Sequence, residues 1–231
     1  MAHSSGNSAE TLVKHAVAER LRQEIACGRL QPGMRIIEGV WGNHFGVAQA
    51  SIREGIHLLA QDGFVTKVAG RSARVVNFSE QDVFGIYELR GVLEGLAARL
   101  ATQKAADISA LEDALDTMRT ALKENRPEGV LDGDLKFHLE LCRSSGNMYV
   151  VEHVRKILLP LFAFARIRIL SSGQDASAWG KDLEAHQRII DLIQEGQADI
   201  TEQYVRHAMS RFAQNAYRTW EKKQEIPLKL P

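Results

Sequence analysis

Four side chains in the second half of this 231-residue chain carry donor atoms suited to metal chemistry: Asp134, His138, His186 and His207. Asp134 and His138 are four residues apart, so on a helix both point to one face about one turn from each other. His186 (in LEAHQRII) and His207 (in YVRHAMS) are each embedded in a stretch with helical apolar spacing. Three imidazoles and a carboxylate converging in a helical core would make a site for a divalent transition metal, zinc first, with nickel, iron or manganese as alternatives. Taken singly, each histidine has a plainer reading as a packed or surface residue, which also holds for His15, His44, His57 and His153. An open metal site can activate water, but there is no H-E-x-x-H, and Glu184, two residues before His186, should point elsewhere on its helix. The expectation is therefore a binding site and not an enzyme.

A second set of residues suits nucleic acid. In QPGMRIIEGVWGNHFGVAQASIREGIHLLAQDGFVTKVAGRSARVV, Pro32-Gly33 is a turn and a short apolar segment follows. Gly46-Val47 then breaks the chain before a helix over Gln49–Gln61 with Ile52, Ile56, Leu58 and Leu59 on its apolar side. Asp62-Gly63 closes that helix, and two β-branched runs, 64–68 and 73–76, flank a hairpin with a basic tip at Gly70-Arg71. Helix, tight turn, helix and two-stranded wing is the layout of a winged helix-turn-helix, whose second helix enters the DNA major groove. Arg53 lies one turn into that helix, within reach of a phosphate or a guanine edge, and Ser51 near its start can meet phosphate. Gly70 lets backbone approach the groove and Arg71 suits its negative floor. Arg35 is a weaker phosphate candidate. For each arginine the alternative is a solvated surface charge.

The elements that must position these residues fall into two parts. Leu12–Cys27 repeats Val13, Val17, Leu21 and Ile25 as an amphipathic helix ended by Gly28, after a small polar tail over 1–10. With the winged unit it makes a DNA-binding domain over 10–77. Ser79 is placed to cap the next helix. From 81 to 222 no strand pattern recurs, and helices are expected over 81–104, 108–124, 127–144, 147–170, 175–195 and 198–222, with Pro127 in a first turn and Pro160 as a kink. The fold class is thus mostly α, an N-terminal winged helix-turn-helix followed by an antiparallel bundle of about six helices.

Composition agrees with a globular protein, at 45% hydrophobic and 25% charged residues. The net charge is zero, yet Thr11–Asn77 holds nine Lys/Arg against five Asp/Glu. That makes the DNA-binding part +4 and the remainder −4. No apolar run reaches the roughly 20 residues of a membrane span, and the start MAHSSGNSAE lacks the apolar core of a secretion signal. Cys27 and Cys142 form no metal-type pair and suit reduced thiols in a cytoplasmic protein.

Residues 25–76 resemble the N-terminal domain of GntR-type transcription regulators. The likeness lies in the frame I-x2-G-x-L-x-P-G from Ile25 to Gly33, in Gly46-Val47 leading to Ser51-Ile52-Arg53-Glu54, and in Leu58–Val65 before the wing glycine Gly70. The helical part resembles the FCD effector domain of the FadR subfamily through Glu88-Leu89-Arg90-x3-Glu94, Ala97-Ala98, Asp134-x3-His138, Ser145-Gly146-Asn147, His186 and His207. The resemblance implies a metal held by Asp134, His138, His186 and His207. It also implies that Arg90 faces the metal cavity, where a guanidinium could grip the carboxylate of a small organic acid; an ion pair with Glu94 is the alternative. A homodimer on a pseudo-palindromic double-stranded DNA operator follows, most often a repressor released by its effector, with a metal sensor as the second reading. The chain departs from the family at Ala48-Gln49-Ala50, where Ser or Thr, then Arg, then a small residue or Pro is common. Glutamine pairs with adenine and arginine with guanine, so an operator altered at the Gln49-contacted base is expected.

Overall fold

The computed structural model describes residues 5–67, 72–172 and 179–221. Among the described residues the chain divides into two compact units, one through Asn77 and one from Phe78 to Glu221.

The first unit contains α1 (Ser5–Ala26), α2 (Glu38–Phe45), α3 (Gln49–Gln61) and a two-stranded antiparallel sheet of β1 (Val65–Thr66) and β2 (Arg74–Val75). α2 stops at Gly46, whose φ of 68° is left-handed, and the Val47 amide returns to the Gly42 carbonyl at 3.0 Å. A residue with a Cβ would be strained there, so the glycine fixes the tight turn into α3. Ile52, Ile56 and Leu59 of α3 are buried with Val17, Leu21 and Ile25 of α1, as their spacing predicts, whereas Val13 is exposed and Leu58 half-buried, at the edges of the two apolar faces. The two helices approach closely because position 55 is glycine: a Cβ there would lie 2.5 Å from Cγ1 of Val17. Arg20 of α1 stacks 3.9 Å over the Phe45 ring and donates to the Phe45 carbonyl at 3.2 Å, while Arg22 pairs with Asp62 beyond α3. The strands are shorter than the β-branched runs suggested, and Met34–Ile36 adds to them through an Arg35–Arg74 bridge and the 2.9 Å bonds Ile36 N–H to Ala73 O and Val75 N–H to Met34 O. α1 also begins at Ser5, inside the stretch expected as a tail.

The second unit is all helical among the described residues: α4 (Glu80–Gln103), α5 (Ser109–Lys123), α6 (Pro127–Ser144), α7 (Met148–Ser172), α8 (Gly180–Gln194) and α9 (Ala198–Glu221). Ser79 caps α4 reciprocally with Asp82, its hydroxyl accepting from the Asp82 amide at 3.1 Å and its own amide donating to the Asp82 carboxylate at 2.8 Å. Pro127 opens α6, where its missing N–H costs nothing. Pro160 lies within α7. α8 begins at Gly180, and the earlier part of its expected span, 175–178, lies outside the described residues. α6 runs between two apolar clusters. One gathers Phe137 and Leu141 with Leu115, Met118, Ile189 and Met209; the other gathers Leu131 and Cys142 with Ala97, Val154, Leu158 and Phe162. Against α4, α9 runs antiparallel, with Gly91 beside Met209 and Gly95 beside Glu202. Arg90 and Glu94 of α4 and His138 of α6 are polar side chains buried in this part of the bundle.

Candidate metal centre and nucleic-acid interface

α6 carries Asp134 and His138 one turn apart, and α8 brings His186 against them. The Nε2 of His186 is 3.0 Å from Oδ1 of Asp134 and 3.4 Å from Nε2 of His138, which is itself 3.1 Å from that Oδ1. Bonds of about 2.0–2.1 Å at tetrahedral angles hold neighbouring donor atoms roughly 3.3–3.4 Å apart, so the triangle has the size a bound ion requires. The outer nitrogens decide which atoms face inward. Nδ1 of His186 lies 2.6 Å from the Asp182 carbonyl, to which it donates, and Nδ1 of His138 lies 2.5 Å from Oε2 of Glu94 in an ion-pair contact that is not aligned as a hydrogen bond. With both Nδ1 positions holding the proton, both Nε2 atoms present lone pairs toward an ionised carboxylate. Three acceptors facing one another need a shared positive charge, which a divalent cation would supply and which, without one, a proton on His138 supplies. Among the described residues these three form the one group of three or more His, Cys, Asp or Glu side chains so converged.

Burial raises the Asp134 carboxyl, but His138 and His186 outweigh it and hold the group far below the usual carboxylate range. For His138, burial works against the charged form, yet Glu94 and Asp134 prevail and raise the imidazole to about 9. Burial and the nearby Asp134 charge push Asp182, at the start of α8, up to about 6.

Behind His138 stands a buried pair from α4. Nε of Arg90 donates to Oε1 of Glu94 at 2.7 Å, both side chains being almost wholly enclosed. The ion pair weighed as the alternative role for Arg90 is formed, and it leaves the guanidinium beside the site: Cζ sits 4.7 Å over the Tyr87 ring and 5.7 Å over Phe162, and Nη2 is buried without a hydrogen-bond partner. Burial alone would raise Glu94, but Arg90 and His138 bring it down to about 2. Glu94 is thus the partner through which Arg90 and His138 communicate. Its position four residues after Arg90 was visible in sequence, but not its reach to α6.

His207 stands apart from the other three: it is exposed on α9 and outside the converged group. Over 198–214 the buried positions of α9 are Thr201, Val205, Ala208, Met209 and Ala213, and residue 207 falls off that stripe. The α9 side chain beside the site is Phe212, its ring centroid 6.0 Å from that of His186 with the planes 20° apart. The helical period of the buried stripe was available to separate these two residues.

On the DNA-binding unit, Gln49 is the first residue of α3 and exposed, its amide lying over Gly39, where a Cβ would be 3.2 Å from Nε2. Ser51 is half-buried in the first turn of α3, and Arg35 is exposed. Arg53 is exposed and forked onto Glu38 of α2, with Nη2 at 2.7 Å and Nε at 3.1 Å from Oε2. That ion pair raises the guanidinium pKa further and leaves Nη1 free of it. Glu38 as the orienting partner was not anticipated. Gly70 and Arg71 lie outside the described residues.

A winged helix-turn-helix followed by a six-helix domain with a buried polar centre defines a two-domain, DNA-binding regulator. Residues 13–75 match the bacterial regulatory proteins of the gntR family and residues 85–211 match the FCD domain, and the chain belongs to the GntR family of transcription regulators bearing an FCD domain. It is 27% identical over 192 residues to the HTH-type transcriptional regulator YdhC of Bacillus subtilis, covering 80% of this chain and 83% of that one. It is 33% identical over 129 residues to the Nta operon transcriptional regulator of Aminobacter aminovorans, covering 55% of this chain and 61% of the relative. A solved GntR transcriptional regulator from Rhodococcus sp. RHA1 shares the fold, with a TM-score of 0.70 at 21% identity over 91% of this chain and 99% of that one. No helix among the described residues is long and apolar enough to cross a membrane.

Proposed function

We propose that this regulator binds a pseudo-palindromic operator as a homodimer in the cytoplasm and represses until a small carboxylate enters the FCD domain beside a divalent metal, zinc first among candidates. The observation that carries the reading is the 3.0–3.4 Å triangle of Asp134 Oδ1, His138 Nε2 and His186 Nε2. A metal there supplies a Lewis-acidic anchor for an anionic ligand. Glu94 fixes the His138 ring, the Asp182 carbonyl fixes His186, and the buried Nη2 of Arg90 offers a charged donor to a carboxylate. Arg53, Gln49 and Ser51 of α3, with Arg35 and the wing residues Gly70 and Arg71, contact DNA. The effector changes operator affinity only as far as it prefers one arrangement of the protein over the other.

Metal analysis and a thermal-shift screen of small carboxylic acids, on wild type and His186→Ala, test this. About one metal per chain is expected. The variant should lose that metal together with any acid-induced stabilisation. Metal-free wild type, stabilised by the same acids as His186→Ala, would overturn it.

A further inference from the structure

Among the described residues the donor set comes from two helices, α6 and α8, although a third, α9, lies alongside. We propose that Phe212 limits the denticity of the site: α9 presents a ring and not a donor, so among the described residues Asp134, His138 and His186 are the protein ligand set and the metal keeps one more coordination position for small-molecule donors than a four-residue set would leave. This rests on the metal reading above and adds to it the residue that keeps the site incomplete.

Two aromatic rings enclose His186. Phe137 meets it edge-on, with centroids 4.6 Å apart at 88°, and Phe212 lies nearly parallel to it at 6.0 Å. Phe212 is half-buried and packs on the cluster around Phe137 and Ile189, so its ring is held in place. The histidine that α9 does carry, His207, is on the exposed side of the helix and outside the donor group. Three donor atoms spaced 3.0, 3.1 and 3.4 Å apart occupy one face of a coordination sphere. Transition metals take four or more ligands, so the opposite face must be filled from elsewhere. Solvent has a way in on one side: the Asp134 side chain is 29% exposed, whereas those of His138 and His186 are 1% and 3% exposed. A donor arriving there and the metal must then strengthen each other's binding by the same factor, because coupling between two ligands is reciprocal. A fourth protein ligand from α9 would weaken that coupling by taking one of the open positions.

Cobalt(II) titration of the full-length protein, followed by visible absorption with azide as a small anionic donor, tests the assignment. Wild type should bind cobalt(II), and azide should shift its spectrum and tighten the binding. Phe212→His should bind the metal about tenfold tighter or more, by adding a ligand, and its spectrum should respond less to azide than that of wild type. His207→Ala should behave as wild type. A wild-type spectrum indifferent to azide, loss of metal in His207→Ala, or a Phe212→His protein that binds and responds as wild type would each overturn the role of Phe212 while leaving the metal site intact. Wild type that binds no cobalt(II) removes the metal reading and this inference with it.

Discussion

Nδ1 of His138 and Oε2 of Glu94 lie 2.5 Å apart in the interior of the helical domain, and the other oxygen of the same carboxylate holds Arg90. One buried acid therefore orients a metal-facing imidazole and neutralises a buried guanidinium. Glu94→Gln keeps the shape but removes the charge. Metal affinity should fall about 10–100-fold, as for other carboxylates that orient a ligating histidine. The metal-free protein should lose on the order of 3 kcal/mol, because Arg90 is left enclosed with no counter-charge. Isothermal titration with metal and urea unfolding with chelator present separate the two effects.

The pH dependence of the metal-free protein follows from the same cluster. His138 is raised to about 9 in the fold, by Glu94 and Asp134 against burial, from about 6.5 in the unfolded chain. Its stabilisation is complete below about pH 6.5 and is lost as pH climbs through 9. Glu94 and Asp134 are lowered, so their stabilisation is present above their unfolded values near pH 4 and is lost as pH falls, for Glu94 through about 2. Asp182, raised to about 6, works the other way from Glu94 and Asp134: its contribution is full below about pH 4 and is lost as pH climbs through 6, so urea midpoints in chelator should peak near pH 4 and decline from there toward pH 9. Metal affinity should instead increase up to about pH 9, since the ion displaces the His138 proton. A metal affinity flat from pH 6 to 9 would contradict this.

Asp134→Asn and His138→Ala should each abolish the metal-dependent rise in melting temperature. The asparagine keeps an oxygen of similar size, so its loss of metal would identify the charge, and not the shape, as the requirement. Melting curves with and without chelator provide the check. Coincident curves for wild type would count against the site.

Arg53 is held by Glu38 across the helix-turn-helix, which fixes the guanidinium at the surface of α3. Arg53→Ala should weaken operator binding about tenfold or more and reduce its salt dependence. Glu38→Gln should weaken it less, by releasing the arginine from one orientation. Gln49→Ala should relax preference at one base pair while leaving non-specific DNA binding unchanged. Salt-series titrations on operator and random duplexes distinguish these cases.

Gly55 marks the closest approach of α1 and α3, with a Cβ there meeting Cγ1 of Val17 at 2.5 Å and the Ala18 amide nitrogen at 3.2 Å. Gly55→Ala should cost about 1–3 kcal/mol by forcing the helices apart. Chemical unfolding measures it directly, and a wild-type midpoint would show that α1 can shift freely.

Local rules gave much of the architecture because local rules decide it. α3 begins at Gln49 and ends at Gln61, as its apolar spacing and the Asp62-Gly63 stop require, and the cap at Ser79 and the opening of α6 at Pro127 are set by adjacent residues. The features that escaped depend on packing between elements. Asp134 and His138 share a helix face by arithmetic, but the reach of Glu94 from α4 to His138, or of Glu38 from α2 to Arg53, depends on how two helices meet. His207 was grouped with the others because an apolar neighbourhood says that a residue is on a helix, not which way it faces. The stripe through Thr201, Val205 and Met209 carried that information, and it excludes position 207.

Asp134 and His186 are 52 positions apart in the chain. An ion gripping both would tie α6 to α8 as a removable staple, closing a loop that includes all of α7. Cross-links over that span restrict the unfolded chain by roughly 4 kcal/mol of entropy in simple loop-closure terms. Stripping the metal should therefore do more than empty a pocket: it should release α8 first, so that amide hydrogen exchange rises in Gly180–Gln194 well before α5 or the core of α6 opens.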